Sequence, residues 1–286
     1  LRASQNCANA GERSTTSDGF APSSCLARHG KLQFGARVPR AILSTYTGDP
    51  VIAHTTMKIT AQPYDFPLTG PLTIESAALV IIDMQRDFCD PRGYMGARGG
   101  DVGPARAIVP RIQRVRERAA ALGMKIVHTR EGHRPDLSDL PESKRLKTAR
   151  AGAEIGSRGP LGRLLVRGEA GWQIIDELQP RENEAVIDKP GTGAFHATDL
   201  HHVLTVSGIS RLILTGVTTA VCVTSTAREA SDRGYEVLVL EDCCAEPCAS
   251  DHDDAVRLLR IEGGYLAATA RSDDLLAALE KFAPRA

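Results

Sequence analysis

Net charge is the first thing this chain does without: 35 Lys and Arg stand against 35 Asp and Glu over 286 residues. A surface so balanced offers no electrostatic footprint for DNA, RNA or an anionic membrane. Long apolar runs are missing as well, since stretches such as "ALVII" and "VLVL" fall far below the roughly 18 residues a membrane span requires. An even cysteine count is also absent. Seven cysteines, in a chain too long to depend on disulfide staples and with no charged-then-apolar leader ahead of them, point to a reducing cytoplasm. Cys243, Cys244 and Cys248 lie close together, but no His or Cys at finger-like spacing completes a set of four. They are expected to be small core residues rather than a metal site.

What is present is an ordinary globular mixture, 42% hydrophobic and 24% charged, enough for one substantial core or at most two small ones. Residues 1 to 56 differ from the rest: Ser, Thr, Ala, Gly and Arg follow one another with no sustained period of 2 or 3.6. By count, this stretch carries six basic and three acidic residues. It is expected to be disordered, either as an over-long start ahead of Met57 or as an organelle transit peptide, with a single domain over 57–286.

From residue 77 the chain alternates regularly. "AALVIID" reads as a buried strand, 104–122 as an amphipathic helix opening with Pro, and "KIVHTR" as a second strand after Gly123. After a long loop come a short helix near "GWQIIDEL", a strand "EAVIDK", a helix near "DLHHVLTVSG" and a strand "RLILTG". A helix over 219–233, "EVLVLE", a helix near 251–262, "YLAATA" and a closing helix near 272–281 complete the pattern. Nearly all-apolar strands separated by one-faced helices predict an α/β fold, a doubly wound, mostly parallel six-stranded sheet covered on both faces.

In such a sheet, ligands bind beyond the carboxyl ends of the strands. Asp83 ends the first strand, Lys189 ends "EAVIDK", and Cys222 stands on the turn after "RLILTG", so all three can meet on one rim. Singly, an Asp after a strand is usually a cap, a Lys is usually solvated and a Cys usually packs. Together they are complementary. A helix N-terminus and a nearby ammonium favour a thiolate. An adjacent carboxylate can accept the thiol proton and later deliver it to a leaving amine. Backbone N–H groups at Thr218 and Cys222 point where an oxyanion would form. The set predicts an acyl-transfer site.

Three separated motifs carry a resemblance: "VIIDMQRDF" around Asp83, "IDKPGTGAF" around Lys189 and "LTGVTTAVCVTSTAREASDRGY" around Cys222. From Ala77 to the C-terminus the chain resembles the isochorismatase-like cysteine hydrolase superfamily. The resemblance implies a Rossmann-like sheet, a Cys222–Asp83–Lys189 triad, a cis peptide bond between Val217 and Thr218, no cofactor, and assembly into a homo-oligomer, commonly a tetramer. Within the superfamily, "HTREGHRPDLSDLP", "GRLLVRGEAGWQIIDEL" and "FHATDL" are most similar to biuret hydrolases and related ureide amidohydrolases. That likeness implies a small amide or ureide substrate, biuret to allophanate and ammonia first, with triuret, ureidoacrylate or another N-carbamoyl compound as alternatives. It also implies that Phe88 and Phe195 help line the pocket.

The chain departs from those relatives at Glu262 in "RIEGGYL", where they carry glutamine; a carboxylate accepts hydrogen bonds only, so Glu262 is a candidate specificity residue. Nicotinamidases bind a metal through Asp-x-His and a further His. Here "TREGHRPD" has only His133 in that loop, so no metal is expected and His133 is read as holding the loop or facing substrate. True isochorismatases cleave a vinyl ether without a cysteine nucleophile, so Cys222 favours amide chemistry. A reading of another class, a catalytically silent member binding a small molecule or a protein, stays open at this point.

Overall fold

The structure is a computed structural model that describes residues 57–282; the expectations for residues 1–56 lie outside them. Six strands form the main sheet: β1 (Ala77–Ile82), β2 (Lys125–Glu131), β3 (Ala185–Lys189), β4 (Arg211–Val217), β5 (Glu236–Ala245) and β6 (Ala268–Ala270). Their order across the sheet is β3-β2-β1-β4-β5-β6, and every neighbouring pair is parallel. This is the expected α/β fold.

Side-chain alternation sorts the core into two layers. On β1, Ala77, Leu79 and Ile81 face one side, where Ile112, Val115 and Ala119 of α1 (Val109–Ala121) and Leu275 and Leu279 of α6 (Ser272–Leu279) cover them. Ala78, Val80 and Ile82 face the other, against Leu200 and Leu204 of α3 (Leu200–Val206) and Ala227 and Ala230 of α4 (Thr224–Asp232). All six β1 residues are buried, which is why the strand reads as one apolar run. Cys243 and Cys244 follow the same alternation on β5, one in each layer, as free buried thiols. Among the described residues, the other helices longer than five residues are α2 (Glu142–Arg150), which buries none of its residues, and α5 (Ala249–Leu259).

Several boundaries differ from the sequence reading, each for a local reason. The helix expected over 104–122 is two, Gly103–Ala107 and α1, because Pro110 has no N–H to continue the ladder and stands in the first turn of the second. The helix expected near "GWQIIDEL" is a single 3₁₀ turn, Asp176–Leu178. The residues before it lie extended beside the segment after β1, with Arg86 N–H donating to Gln173 O at 2.8 Å and Ile175 N–H to Met84 O at 2.9 Å. The helix expected over 219–233 opens with a π-helical turn, Thr219–Val223, before α4 begins. β5 runs four residues beyond "EVLVLE".

Strand order reverses between β1 and β4, so a crevice opens beyond their carboxyl ends. Gly216 makes that junction possible: at φ +108°, a Cβ there would lie 2.0 Å from the carbonyl oxygen of Ile82. Among the described residues, no helix is long and apolar enough to cross a membrane.

One buried polar network lies in the body of the sheet rather than at its rim. His128 on β2 is buried with Nε2 2.9 Å from Glu184 Oε2, and Arg116 Nε donates to the Glu184 carboxylate at 3.0 Å. Burial holds the imidazole down to about 4, against the pull of Glu184. An unfolded histidine protonates near pH 6.5, so the unfolded state takes up that proton first as pH falls. Stability from the neutral buried ring is therefore complete above about pH 6.5 and lost toward pH 4, on the order of 3 kcal/mol in total. Asp87, raised to about 6 mainly by burial, acts in the opposite sense over the same window. The comparison that isolates His128 is thermal unfolding of wild type and His128→Gln from pH 7.5 to 4.5; wild type is expected to lose more stability than the variant, and parallel losses would contradict the assignment.

Candidate active site

Four of the six strands deliver a side chain, or the turn carrying one, to the rim of the crevice. Asp83 directly follows β1 and takes φ +50°, a left-handed conformation that Asp tolerates better than most residues and that is found where a side chain must be aimed. Its N–H donates to Thr129 O on β2 at 3.2 Å, and the Thr129 hydroxyl donates back to Asp83 Oδ1 at 2.6 Å. Glu131 and Lys189 are the last residues of β2 and β3 and are paired directly in the parallel register. Cys222 sits on the π-helical turn after β4, whose Val217–Thr218 bond is cis as the resemblance implies.

These groups converge. Lys189 Nζ stands 2.8 Å from Asp83 Oδ2 and 3.5 Å from Glu131 Oε2, and donates to the carbonyls of Gly191 and Thr192 at 3.0 Å each. The Asp83 contact is a fully buried ion pair at hydrogen-bond distance. The Cys222 thiol donates to Glu131 Oε2 at 3.3 Å. Oxygens of Asp83 and Glu131 and the sulfur all lie within 4.8 Å of one another. Asp83, Lys189 and Cys222 are 0%, 0% and 2% exposed, so their charges interact with little screening by water.

Glu131 is the residue that reading the sequence missed, although the rule that found Asp83 and Lys189 applies to it, because the strand was ended one residue early at Arg130. Lys144 was missed too. It reaches in from α2 to donate to Glu131 Oε1 and to Pro190 O, both at 2.7 Å, and nothing in "ESKRLKTAR" marks it.

The two carboxyls are pushed apart. Burial raises Glu131, but Lys189 and Lys144 together outweigh it and hold the carboxyl down at about 2. Burial also raises Asp83; Lys189 pulls the other way, Glu131 pushes up, and the net direction is upward. Lys189 stays protonated, because Asp83, Cys222 and Glu131 overcome its own burial. The thiol does not follow the expectation from the sequence. A helix start and an ammonium were to favour thiolate, yet burial and the two neighbouring carboxylates push Cys222 well above the ordinary thiol range despite Lys189. The resting cysteine is a neutral thiol. Two cations, two carboxylates and a thiol make a site that is electrically balanced when its proton is on sulfur, with Asp83 the carboxyl better able to receive it.

A three-ligand cluster of Asp83, Glu131 and Cys222 has the donor types of a metal site, but the Lys189 ammonium stands against both carboxylates where an ion would bind. His133, the histidine of the nicotinamidase comparison, is fully buried, with Nδ1 3.2 Å from Asp139 Oδ1 in its own loop.

A narrow cleft opens beside Thr218, with Phe88 and Met95 among its lining residues. Phe88 meets Tyr94 edge to face, with centroids 6.1 Å apart. The other two residues expected to bind substrate are placed elsewhere. Phe195 is buried with its ring 5.7 Å from Tyr235 and under the Arg233 guanidinium at 4.9 Å, so its apolar face is taken up by packing. Glu262 is exposed, at φ +53° on the turn after α5, and is not part of the cavity wall.

With the rim described, the comparison with known proteins is informative. A family model, the isochorismatase domain, matches residues 77–271, spanning the strand that leads to Asp83 through the last strand of the sheet. The chain belongs to the isochorismatase family. A relative, ureidoacrylate amidohydrolase RutB of Yersinia enterocolitica, is 33% identical over 189 residues, covering 63% of this chain and 77% of that protein. Among solved structures, an isochorismatase family protein of Desulfovibrio vulgaris is 28% identical, with a TM-score of 0.60, over 72% of this chain and 99% of that one. N-carbamoylsarcosine amidase of Thermoplasma acidophilum is 26% identical, with a TM-score of 0.53, over 69% and 97%. This isochorismatase-family chain is a hydrolase.

Proposed function

We propose that the chain is a cysteine-dependent amidohydrolase that cleaves a carbamoyl C–N bond of a small ureide. The observation that carries the proposal is the meeting of the Cys222 sulfur with two carboxylates and the Lys189 ammonium in one buried cluster. The amidohydrolase and amidase named among its relatives support the amide chemistry. Biuret, yielding allophanate and ammonia, is the lead reaction on the sequence likeness described above; triuret and ureidoacrylate are the alternatives.

The Cys222 thiol gives its proton to Asp83 as sulfur bonds to the carbamoyl carbon, so a free thiolate need not accumulate in so buried a place. The N–H groups of Thr218 and Cys222 receive the oxyanion. The tetrahedral adduct collapses by breaking the C–N bond, and Asp83 returns the proton to the departing ammonia. Water, activated by the same carboxylate, then adds to the thioester carbon, and the C–S bond breaks to release the acid and restore the thiol. Lys189 stays charged throughout. Glu131, held ionised, anchors the S–H and pairs with both lysines.

A screen for ammonia release across biuret, triuret, ureidoacrylate and nicotinamide tests the reading. Release from at least one ureide and none from nicotinamide is expected; silence on every ureide contradicts it. Glu131 carries its own prediction. Glu131→Gln keeps the shape but removes one of the two anions that raise the thiol, so the Cys222 pKa falls. Alkylation of Cys222 in the resting protein is therefore expected to rise at lower pH than in wild type, while kcat drops by about 100-fold. An unchanged alkylation profile would remove Glu131 from the proton inventory.

A further inference from the structure

The catalytic cluster is sealed. Asp83 and Lys189 are 0% exposed, Cys222 2% and Glu131 5%, and none of the four lines the cleft beside Thr218. No ureide reaches the sulfur, then, unless part of its cover moves. One part of that cover is held differently from the rest. From residue 134 to 152 no residue is buried, α2 included, whereas Phe88, Thr219 and Val223 on the other sides of the cluster are buried. The tie between α2 and the rim is Lys144, whose Nζ donates to Glu131 Oε1 and to Pro190 O at 2.7 Å each. Among the described residues, the other bonds from α2 side chains stay local: Arg145 donates to Glu154 at 2.8 Å, and the Thr148 hydroxyl accepts the Ile155 N–H at 3.3 Å. An element with so little buried apolar surface opens at low cost.

We infer that α2 opens to admit substrate and that Lys144 is a positioning residue, whose ammonium pairs with Glu131 only when the helix has closed again. The inference rests on the ureide-hydrolase reading above and adds the event that prepares the site. Closed, Lys144 and Lys189 face Glu131 and Asp83, and the charges cancel with the proton on sulfur. Opening withdraws one cation and lets water solvate the carboxylates instead. Closing expels that water, and with no cation in its place the carboxyl pair would take up a proton, whichever oxygen holds it. On Asp83 that proton blocks acceptance of the one from the thiol; on Glu131 it removes the anion that receives the S–H. Lys144 keeps both carboxylates ionised as the site goes dry. Tyr94 and His133 also face Glu131, but burial holds both toward their neutral forms, so neither supplies the missing charge.

Ammonia release from biuret, triuret and ureidoacrylate is measured from pH 5 to 9 for wild type, Lys144→Met and Lys144→Arg. Residue 144 lies on a helix that buries none of its residues, so the variants keep the fold. The sign follows from Glu131: burial raises its carboxyl, Lys189 and then Lys144 pull it down to about 2, and loss of Lys144 moves proton uptake by the pair to higher pH. Lys144→Met is expected to shift the acid limb of kcat up by about one pH unit, a loss of roughly 10-fold below the limb and little at pH 9, while Lys144→Arg restores the wild-type limb. The shift should persist in a His133→Gln background, because His133 loses the same neighbouring charge. Opening is read without turnover. In hydrogen exchange followed by mass spectrometry, the 142–150 segment of resting wild type is expected to exchange about 100-fold faster than the 109–121 segment, and about 10-fold faster again in Lys144→Met. An acid limb unmoved in Lys144→Met, left unrestored by Lys144→Arg or lost in the His133→Gln background, or a 142–150 segment as protected as 109–121, overturns the inference and leaves the hydrolase reading in place. Silence of wild type on all three ureides overturns both.

Discussion

Cys222→Ala is expected to release no ammonia from any ureide that wild type hydrolyses, a loss of at least about 10³-fold, while remaining folded. The size of the effect follows from the site's economy of parts. Without sulfur there is no group to bond to the carbamoyl carbon, and the remaining carboxylates are paired with lysines rather than free to attack. Cys222→Ser should fare little better, because its hydroxyl would have to lose a far more tightly held proton in the same buried, anion-rich place. The thiol is a weak donor, 3.3 Å from Glu131, so its loss should move Tm by less than about 4 °C. Ammonia release and thermal unfolding on the same preparations check the prediction. Undiminished turnover by the alanine variant would end the nucleophile assignment; collapse of the fold would mean that Cys222 is a packing residue first.

Lys189→Met carries the second large effect, on stability and activity together. The ammonium is fully buried against Asp83 and Glu131, and methionine fills similar volume without charge. Removing one member of a buried ionic set leaves carboxylates uncompensated and typically costs about 3–5 kcal/mol. The pH dependence identifies the cause. With Lys189 gone, the folded-state pKa of Asp83 rises further above its unfolded value, because burial and Glu131 act unopposed there. A raised folded pKa means a penalty that is full at high pH and relieved as pH falls through that pKa. The variant's deficit relative to wild type is therefore expected to be larger at pH 8 than at pH 5. A deficit independent of pH would show that lysine contributes packing rather than charge. Activity should fall in parallel, since neither the carboxyl that shuttles the proton nor the thiol that supplies it keeps its environment.

Much of this site was legible because the physics that exposes it is short-range and one-dimensional. A buried parallel strand is an apolar run, and the polar residue that follows it stands on the rim where ligands bind; Asp83 is such a residue, Cys222 follows "RLILTG" in the same way, and Lys189 ends the shorter edge strand "EAVIDK". Glu131 obeys the same rule and was lost only to a boundary one residue short. Lys144 was not recoverable, because its role depends on a long side chain crossing from a surface helix to a strand end, and spacing along a chain says nothing of that reach. The placement of Phe195 and Glu262 away from the cleft beside Thr218 was not legible for a related reason. Each lies in a motif that resembles a relative's, but whether an aromatic faces a cavity or Tyr235, or a glutamate faces substrate or solvent, is decided by packing between elements distant in sequence. The state of the thiol is not legible along the chain, because the desolvation that the sheet imposes around Cys222 outweighs its proximity to Lys189.

The central claim is that the sulfur of Cys222 becomes covalently acylated during turnover. Rapid acid quench of wild type with the hydrolysed ureide, followed by intact-protein and peptide mass spectrometry, tests it directly. The account predicts a transient carbamoyl-type adduct on the peptide containing Cys222 and on no other, absent from Cys222→Ala. Steady turnover with no adduct at any quench time, or an adduct on a different thiol, would contradict it.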